Sequence, residues 1–367
     1  MKKSVLRILV IAMPVVAVLA SVSSETYAHP AWGIVVDKQG QVYVSDLETI
    51  WKIDASGRQS IFRAGVSGRH IHELTVDEAE NLYGEDLSYE PSTQRYTTAI
   101  WKMTPAGGFS YVLAPTSNPP RGMSIWKDRN GNTYLAQWNN NSDQQVFLLK
   151  RTPNGEVTTL IGSRKNGDEF RQVVLYDIGG MVFGPDGSLY LTDRINIHKV
   201  TIAGKVTTIA RNIGGQNSEG ANTSLMGLTV DASGNVYAAD FGNRRVLKVK
   251  PSGDIMTLLP ADESWSPTGL AFRNGDLYIL ETGNAPQRPR VRKLSPDGKV
   301  SAIATIGEGK TPPDRVKPAG QDDESAGTSQ AFASYTLIGL GVGVFALSFV
   351  VWRIRKKRII ELAESKT

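Results

Sequence analysis

The chain has 367 residues, a formal charge of +5 and no cysteine. Without cysteine, disulfide scaffolds, thiolate nucleophiles and cysteine metal sites are excluded. Much of the positive surplus sits at the two ends, and the middle holds no basic patch interleaved with aromatics, which excludes nucleic acid as a partner.

Taken in chain order, Met1-Lys2-Lys3 is a basic start and an apolar stretch follows over 6–20. Thr26 and Ala28 then place small residues where a signal peptidase reads. These features predict a signal peptide over 1–28 and a folded, exported region over 29–306.

Within that region the chain repeats itself. The clearest copy is MGLTVDASGNVYAADFGNRRVLKVKPSGDIMTLL, over 226–259, and five other segments match it. One tyrosine marks the same place in each: Tyr43, Tyr83, Tyr134, Tyr190, Tyr237 and Tyr278, at intervals of 40 to 56 residues. That is the period of a propeller blade and too long for leucine-rich or ankyrin units. Each copy reads as four short strands. A short apolar strand meets a D-x-x-G-N turn, in which Asp caps backbone amides and Gly takes positive φ. Two alternating strands, a second turn and an outer strand follow. A lone sheet of this kind cannot bury both faces, and a closed ring solves that while protecting the strand edges. The expected fold is therefore all-β, a six-bladed β-propeller of four-stranded blades. A β-sandwich would not need six near-copies of one unit.

Beyond the repeats, 307–330 is rich in proline, glycine and charge and reads as a flexible linker. Residues 331–352 form an apolar run with no charged residue. At about 1.5 Å per residue this run spans roughly 33 Å, enough to cross a bilayer as one helix. The basic tail over 353–367 is expected to stay cytoplasmic. The expected location is the cell membrane, single-pass, with the propeller extracytoplasmic and the lipid bilayer as a partner through 331–352.

The strings LTVDASGNVYAADFGNRRVLKVKPSG, IVVDKQGQVYVSD and FGPDGSLYLTD resemble the NHL-repeat family. They also resemble the wider superfamily of six-bladed propellers that includes gluconolactonase-like, strictosidine-synthase-like and paraoxonase-like proteins. The lactonase-like resemblance implies Ca2+ or another divalent cation, held over the channel by Glu, Asn and Asp oxygens. Its P-N-G or P-D-G hallmark is missing before the inner strands. Leu225-Met226-Gly227 and Pro267-Thr268-Gly269 stand there instead, and methionine is a poor ligand for a hard cation.

Residues just before each inner strand surround one mouth of the channel. They supply the candidate site: His72, Glu73 and Asp177 as catalytic groups, with Glu73 and Asp177 also as the metal ligands. His70 and His72 point the same way in an extended segment. Trp32, Arg121 and Asn222 at the mouth are candidate ligand-binding residues. So are Tyr89, Tyr96, Trp138 and Arg171 in the insertions over 87–98, 138–145 and 162–177. The expected function is a membrane-tethered extracytoplasmic propeller that binds a protein, glycan or small ligand without chemistry of its own. The alternative is a metal-dependent hydrolase, lactonase- or esterase-like, or a lyase, with its site at the channel mouth.

Overall fold

The repeat begins with one local device. Asp231 Oδ1 accepts from the amides of Ser233 and Asn235, each at 2.9 Å, and its Oδ2 accepts from the Tyr237 hydroxyl at 2.9 Å. The turn closes through Gly234 at φ +80°, a backbone region that costs a side chain energy and glycine none. Asp37 with Tyr43, Asp77 with Tyr83 and Asp128 with Tyr134 repeat the arrangement. Burial first, then Asp77, pushes the Tyr83 hydroxyl up to about 12, so it stays a donor. The recurring tyrosine is thus the bolt of a turn. Across the neighbouring strand it faces a lysine in every blade: Lys52, Lys102, Lys150, Lys199, Lys248 and Lys293. In four of these pairs the ammonium lies over the ring.

The computed structural model describes residues 31–90, 93–138, 146–161, 175, 178–214, 224–260, 264–283 and 288–308. These build six antiparallel sheets in sequence order, the six-bladed propeller that the repeat predicts. Blade 1 holds Ile34–Val36, Val42–Ser45, Ile50–Ile53 and Gln59–Arg63, and blades 4, 5 and 6 copy its four strands. Blades 2 and 3 depart from this plan. In blade 2 the inner strand is split into Arg69–His70 and Leu74–Val76, which makes five strands. Blade 3 has three. There only Lys127 bridges to Thr133, and the chain before it turns back, so that Thr133 Oγ1 donates to the Gly122 carbonyl at 2.8 Å.

The apolar cores lie between blades. Ile34, Val44 and Ile53 of blade 1 pack with Leu280 and Val291 of blade 6, and Tyr43 and Ile50 pack with Leu74 and Trp101 of blade 2. Burial of such side chains stabilises by about 1.5–3 kcal/mol each, so adjacent sheets hold one another in place. Among the described residues every sheet is made from contiguous chain, and no strand is exchanged between blades 1 and 6.

A second device closes each blade at the mouth. Three residues after the tyrosine stands an acid: Asp46, Asp86, Asp193, Asp240 and Glu281, with Gln137 in blade 3. Trp51 Nε1 donates to Asp46 at 2.7 Å, and Trp101 Nε1 donates to Asp86 at 2.8 Å. His198 Nε2 lies 3.0 Å from Asp193. Arg292 bonds Glu281, and Arg245 bonds Asp240 at 2.7 Å. Buried acids are tolerated only when paired in this way.

The expected single-pass placement is corrected. Among the described residues there is no helix, and none long and apolar enough to cross a membrane. The proposed signal peptide over 1–28, the span over 331–352 and the tail over 353–367 lie outside the described residues, as does the linker after 308.

Candidate functional site

The inner strands crowd the axis, and glycine makes this possible. Gly33, Gly180, Gly227 and Gly269 stand at matching places in blades 1, 4, 5 and 6. A Cβ on Gly269 would fall 2.1 Å from the Trp32 carbonyl oxygen, and one on Gly227 would fall 2.8 Å from that of Thr268. In blade 2 the matching residue is Glu73. Four blades thus carry no side chain at this level; blade 3 has Ser124 at the matching place, its hydroxyl donating to the Tyr134 carbonyl at 2.6 Å, and blade 2 supplies a carboxyl. It can do so because the next inner strand, that of blade 3, turns away before reaching the mouth.

A bulge aims the carboxyl. His70 pairs with Leu87 and Leu74 with Gly84. Three residues, Ile71–Glu73, thus oppose two, Glu85 and Asp86, and such bulges re-aim side chains near sites. Both oxygens of Glu73 are engaged: Trp32 Nε1 donates to Oε1 at 3.0 Å, and Trp126 Nε1 donates to Oε2 at 2.7 Å. One carboxyl thereby joins blades 1, 2 and 3. Burial pushes it from 4.5 up to about 6, and the charge of Glu85 adds to the rise, while the two indole donors oppose it.

Beside it, the His72 ring stacks on Trp32 at 5.2 Å, and His70 stands edge-on to His72 at 5.9 Å. The half-buried Glu85 accepts from the Thr98 hydroxyl. Burial raises its carboxyl, Thr98 opposes the rise and Asp86 adds to it. In the channel, Trp32, Glu73, Trp126, Gly180, Gly227 and Leu270 help line a cavity of about 30 Å³. That is room for a water molecule, so an organic ligand must meet Glu73 from the mouth.

The structure brings His72, Glu73 and Trp32 together. Arg121 is exposed and away from them, because Gly122 is tied to Thr133 at the start of the second strand, the end opposite the mouth. Tyr89 and Tyr96 pair across the long hairpin of blade 2, rings 5.0 Å apart, and stand above the mouth. Asp177, Arg171 and Asn222 lie outside the described residues, and of Trp138 only the backbone, closing the strand Thr133–Trp138, is described. The sequence reading missed Trp126. Its signal was an indole where blades 1, 2, 4 and 5 carry Val35, Thr75, Val182 and Thr229.

The cation that the resemblance implies finds no fitting donor set. Among the described residues no three His, Asp or Glu side chains converge as metal ligands. The oxygens of Glu73 are already met by two N–H donors, and Met226 stands where a hard cation would want oxygen. No chemical step is therefore assigned to a metal.

No family model matches the sequence, and no curated protein matches it. Among solved structures, the fold is similar to virginiamycin B lyase from Staphylococcus aureus, at 16% identity over 74% of this chain and 83% of that one, with a TM-score of 0.45. It is similar to regucalcin, a calcium-binding protein from Agrobacterium tumefaciens, at 15% identity over 68% and 81%, TM-score 0.46. It is also similar to a gluconolactonase from Xanthomonas campestris, at 14% identity over 70% and 84%, TM-score 0.46. At these values the likeness is one of fold, and it agrees with the resemblance drawn from the repeats. The expected non-catalytic, membrane-tethered binder is corrected: the mouth holds a buried carboxyl, raised to about 6 and gripped by two indole donors.

Proposed function

We propose that the chain is an enzyme of the hydrolase or lyase class that breaks a carbon–oxygen bond in an ester or lactone by proton transfer at the channel mouth. The observation that carries this reading is the Glu73 carboxyl: set where four of the other five blades place glycine, held by two indoles and raised to about 6. A carboxyl with that proton affinity is a competent base near neutral pH. Its ionised form takes a proton from water or from an activated carbon. The Trp32 and Trp126 N–H groups keep its oxygens in place through the transfer. His72, stacked on Trp32, supports the wall of the site. Tyr89 and Tyr96 offer the surface that an apolar part of the substrate meets.

The test is a panel of lactones and esters with products read by mass. Hydrolysis adds the mass of water to a lactone, whereas elimination opens the ring with no change of mass. Glu73→Gln keeps shape and removes the base, and kcat/KM is expected to fall by at least about 100-fold. Full activity in that variant would overturn the assignment, as would an inactive wild-type protein across the panel. Turnover that persists in a chelator is expected.

A further inference from the structure

Resting on that reading, we propose that the substrate carries an anionic group, a carboxylate or a phosphate, and that Arg194 and Arg211 hold it on the side of the mouth opposite Glu73, with Arg244 beside them. Arg194 stands at the two-residue tip between Leu189–Asp193 and Asn196–Val200 of blade 4. Arg211 follows the outer strand of that blade, Val206–Ala210, and Arg244 precedes Arg245–Val249 in blade 5. All three are exposed.

Backbone bonds gather them at the entrance of one inner strand, that of blade 5. The Leu225 amide, two residues before Gly227, donates to the Arg194 carbonyl at 2.7 Å, and the Phe241 amide of the blade 5 tip donates to the Ser224 carbonyl at 3.1 Å. The chain over 211–214 joins the two tips. The Ile213 amide donates to the Ile195 carbonyl at 2.9 Å, the Asn212 amide donates to Asn196 Oδ1 at 3.1 Å, and the Ile213 carbonyl accepts from Arg245 at 3.1 Å. Gly227 lines the same cavity as Glu73. At about 3.3 Å per residue, the Arg194 tip therefore stands roughly 7 Å outward of the level of Glu73. Blade 5 is three places on from blade 2 in the ring of six, so tip and carboxyl face each other across the channel.

Closing the blades does not use these charges. The acids of this sector, Asp193 and Asp240, are buried, and His198 and Arg245 already serve them. Among the described residues neither Arg194 nor Arg211 has a side-chain hydrogen bond or ion pair. Like charges gathered in this way repel one another, and a bound anion relieves the repulsion. The kind of cation points the same way. Among the described residues the tips and connections at the mouth carry arginine and no lysine, whereas the opposite end carries Lys38, Lys127, Lys205, Lys250 and Lys299 beside Arg58 and Arg129. A guanidinium offers a planar fork that matches a carboxylate or a phosphate, which an ammonium does not.

The test compares the methyl half-ester of adipic acid, whose chain ends in a carboxylate, with its counterpart ending in a carboxamide, of like shape and no charge. The proteins are the wild-type chain, Glu73→Gln, the pair Arg194→Gln with Arg211→Gln, and the pair Arg194→Lys with Arg211→Lys. The wild type is expected to favour the charged ester by about 10-fold in kcat/KM, through KM, and to lose that preference as salt is raised. The glutamine pair is expected to bring the two esters to within about twofold of each other at low salt. The lysine pair keeps the sign of the preference, and Glu73→Gln slows both esters. Equal turnover of the two esters by the wild type, or a preference that the glutamine pair retains, would overturn the anion site and spare the role of Glu73. Titration calorimetry with adipate and with inorganic phosphate reads the site without turnover. Each anion that binds the wild type is expected to bind the glutamine pair about 10-fold more weakly. Equal affinity in the two proteins, or binding of neither anion, would overturn the site. Arginine-dependent binding by a wild type that turns over neither ester would instead overturn the proposed function and leave the anion site standing.

Discussion

At the scale of single residues, Glu73 is a group the fold holds at a cost. A carboxyl raised from 4.5 to about 6 binds its proton more tightly folded than unfolded. Stability therefore falls as pH rises through that window and stays lower above it, by about 2 kcal/mol. Asp77, Asp186 and Asp231 act in the opposite sense. Held below the usual carboxylate range in spite of burial, chiefly by Asn81, Lys199 and Asn235 respectively, they lose stability only under more acid conditions. The wild-type chain is thus expected to melt at higher temperature at pH 5 than at pH 7, and Glu73→Gln is expected to flatten that slope. Its melting point at any one pH is a poorer readout, because one glutamine oxygen cannot serve two indole donors and an orphaned donor costs about 1–3 kcal/mol. An unchanged slope, measured by calorimetry between pH 4.5 and 7.5, would show that Glu73 is not the raised group.

At the scale of the element, five of the six blades carry a closing acid three residues after the tyrosine, and blade 2 shows how much depends on it. Asp86 is 2% exposed. It accepts two bonds from Arg63 of blade 1, at 2.8 and 2.6 Å, and one from Trp101. The Arg63 guanidinium lies 4.7 Å from the Trp101 ring centroid. Asp86→Ala strands a buried guanidinium and a buried indole, so a loss of about 3–5 kcal/mol is expected in denaturant unfolding. A loss under about 1 kcal/mol would mean that water or a neighbour replaces the acid. This device also explains which parts of the fold were legible in the sequence. The tyrosine and its turn repeat as letters, so blade number and strand order could be read directly. The donor to the blade acid repeats as a function. Trp51, Trp101, His198 and Arg292 share one register position across from Val44, Gly84, Leu191 and Ile279, and no pattern of residue type links them. His198, for one, is buried and bonded to Asp193 and Thr208. At the site the legible signal was Glu73 in a column of glycines. Trp126 was hidden because its place depends on where the chain of blade 3 turns back, and a side chain outside that segment, Thr133, settles it.

At the scale of the whole molecule, the ring is made by packing, and among the described residues no exchanged strand closes it. Blades 1 and 6 meet at two levels. Near the axis their inner strands touch at Gly269 and Trp32, where only glycine fits, and an apolar cluster joins the sheets behind them. At the rim one side chain ties the chain ends together. Gln59 Nε2 of blade 1 donates to the Thr305 carbonyl at 2.8 Å, and its Oε1 accepts from the Gly307 amide at 2.9 Å. Arg288 donates to the Gly307 carbonyl at 2.7 Å and holds the same turn. Because Trp32 belongs both to the axial contact and to the Glu73 site, loosening this joint reaches the site as well. Gln59→Ala removes two hydrogen bonds and is expected to cost about 2 kcal/mol. Native-state hydrogen exchange should place that loss unevenly. Protection should fall at Thr305–Gly307 and in blades 1 and 6, while blades 3 and 4 hold their wild-type rates. An equal drop in all six blades would mean that the ring opens only when the whole fold does. The rim bond would then be one contact among many, with no special part in closing the ring.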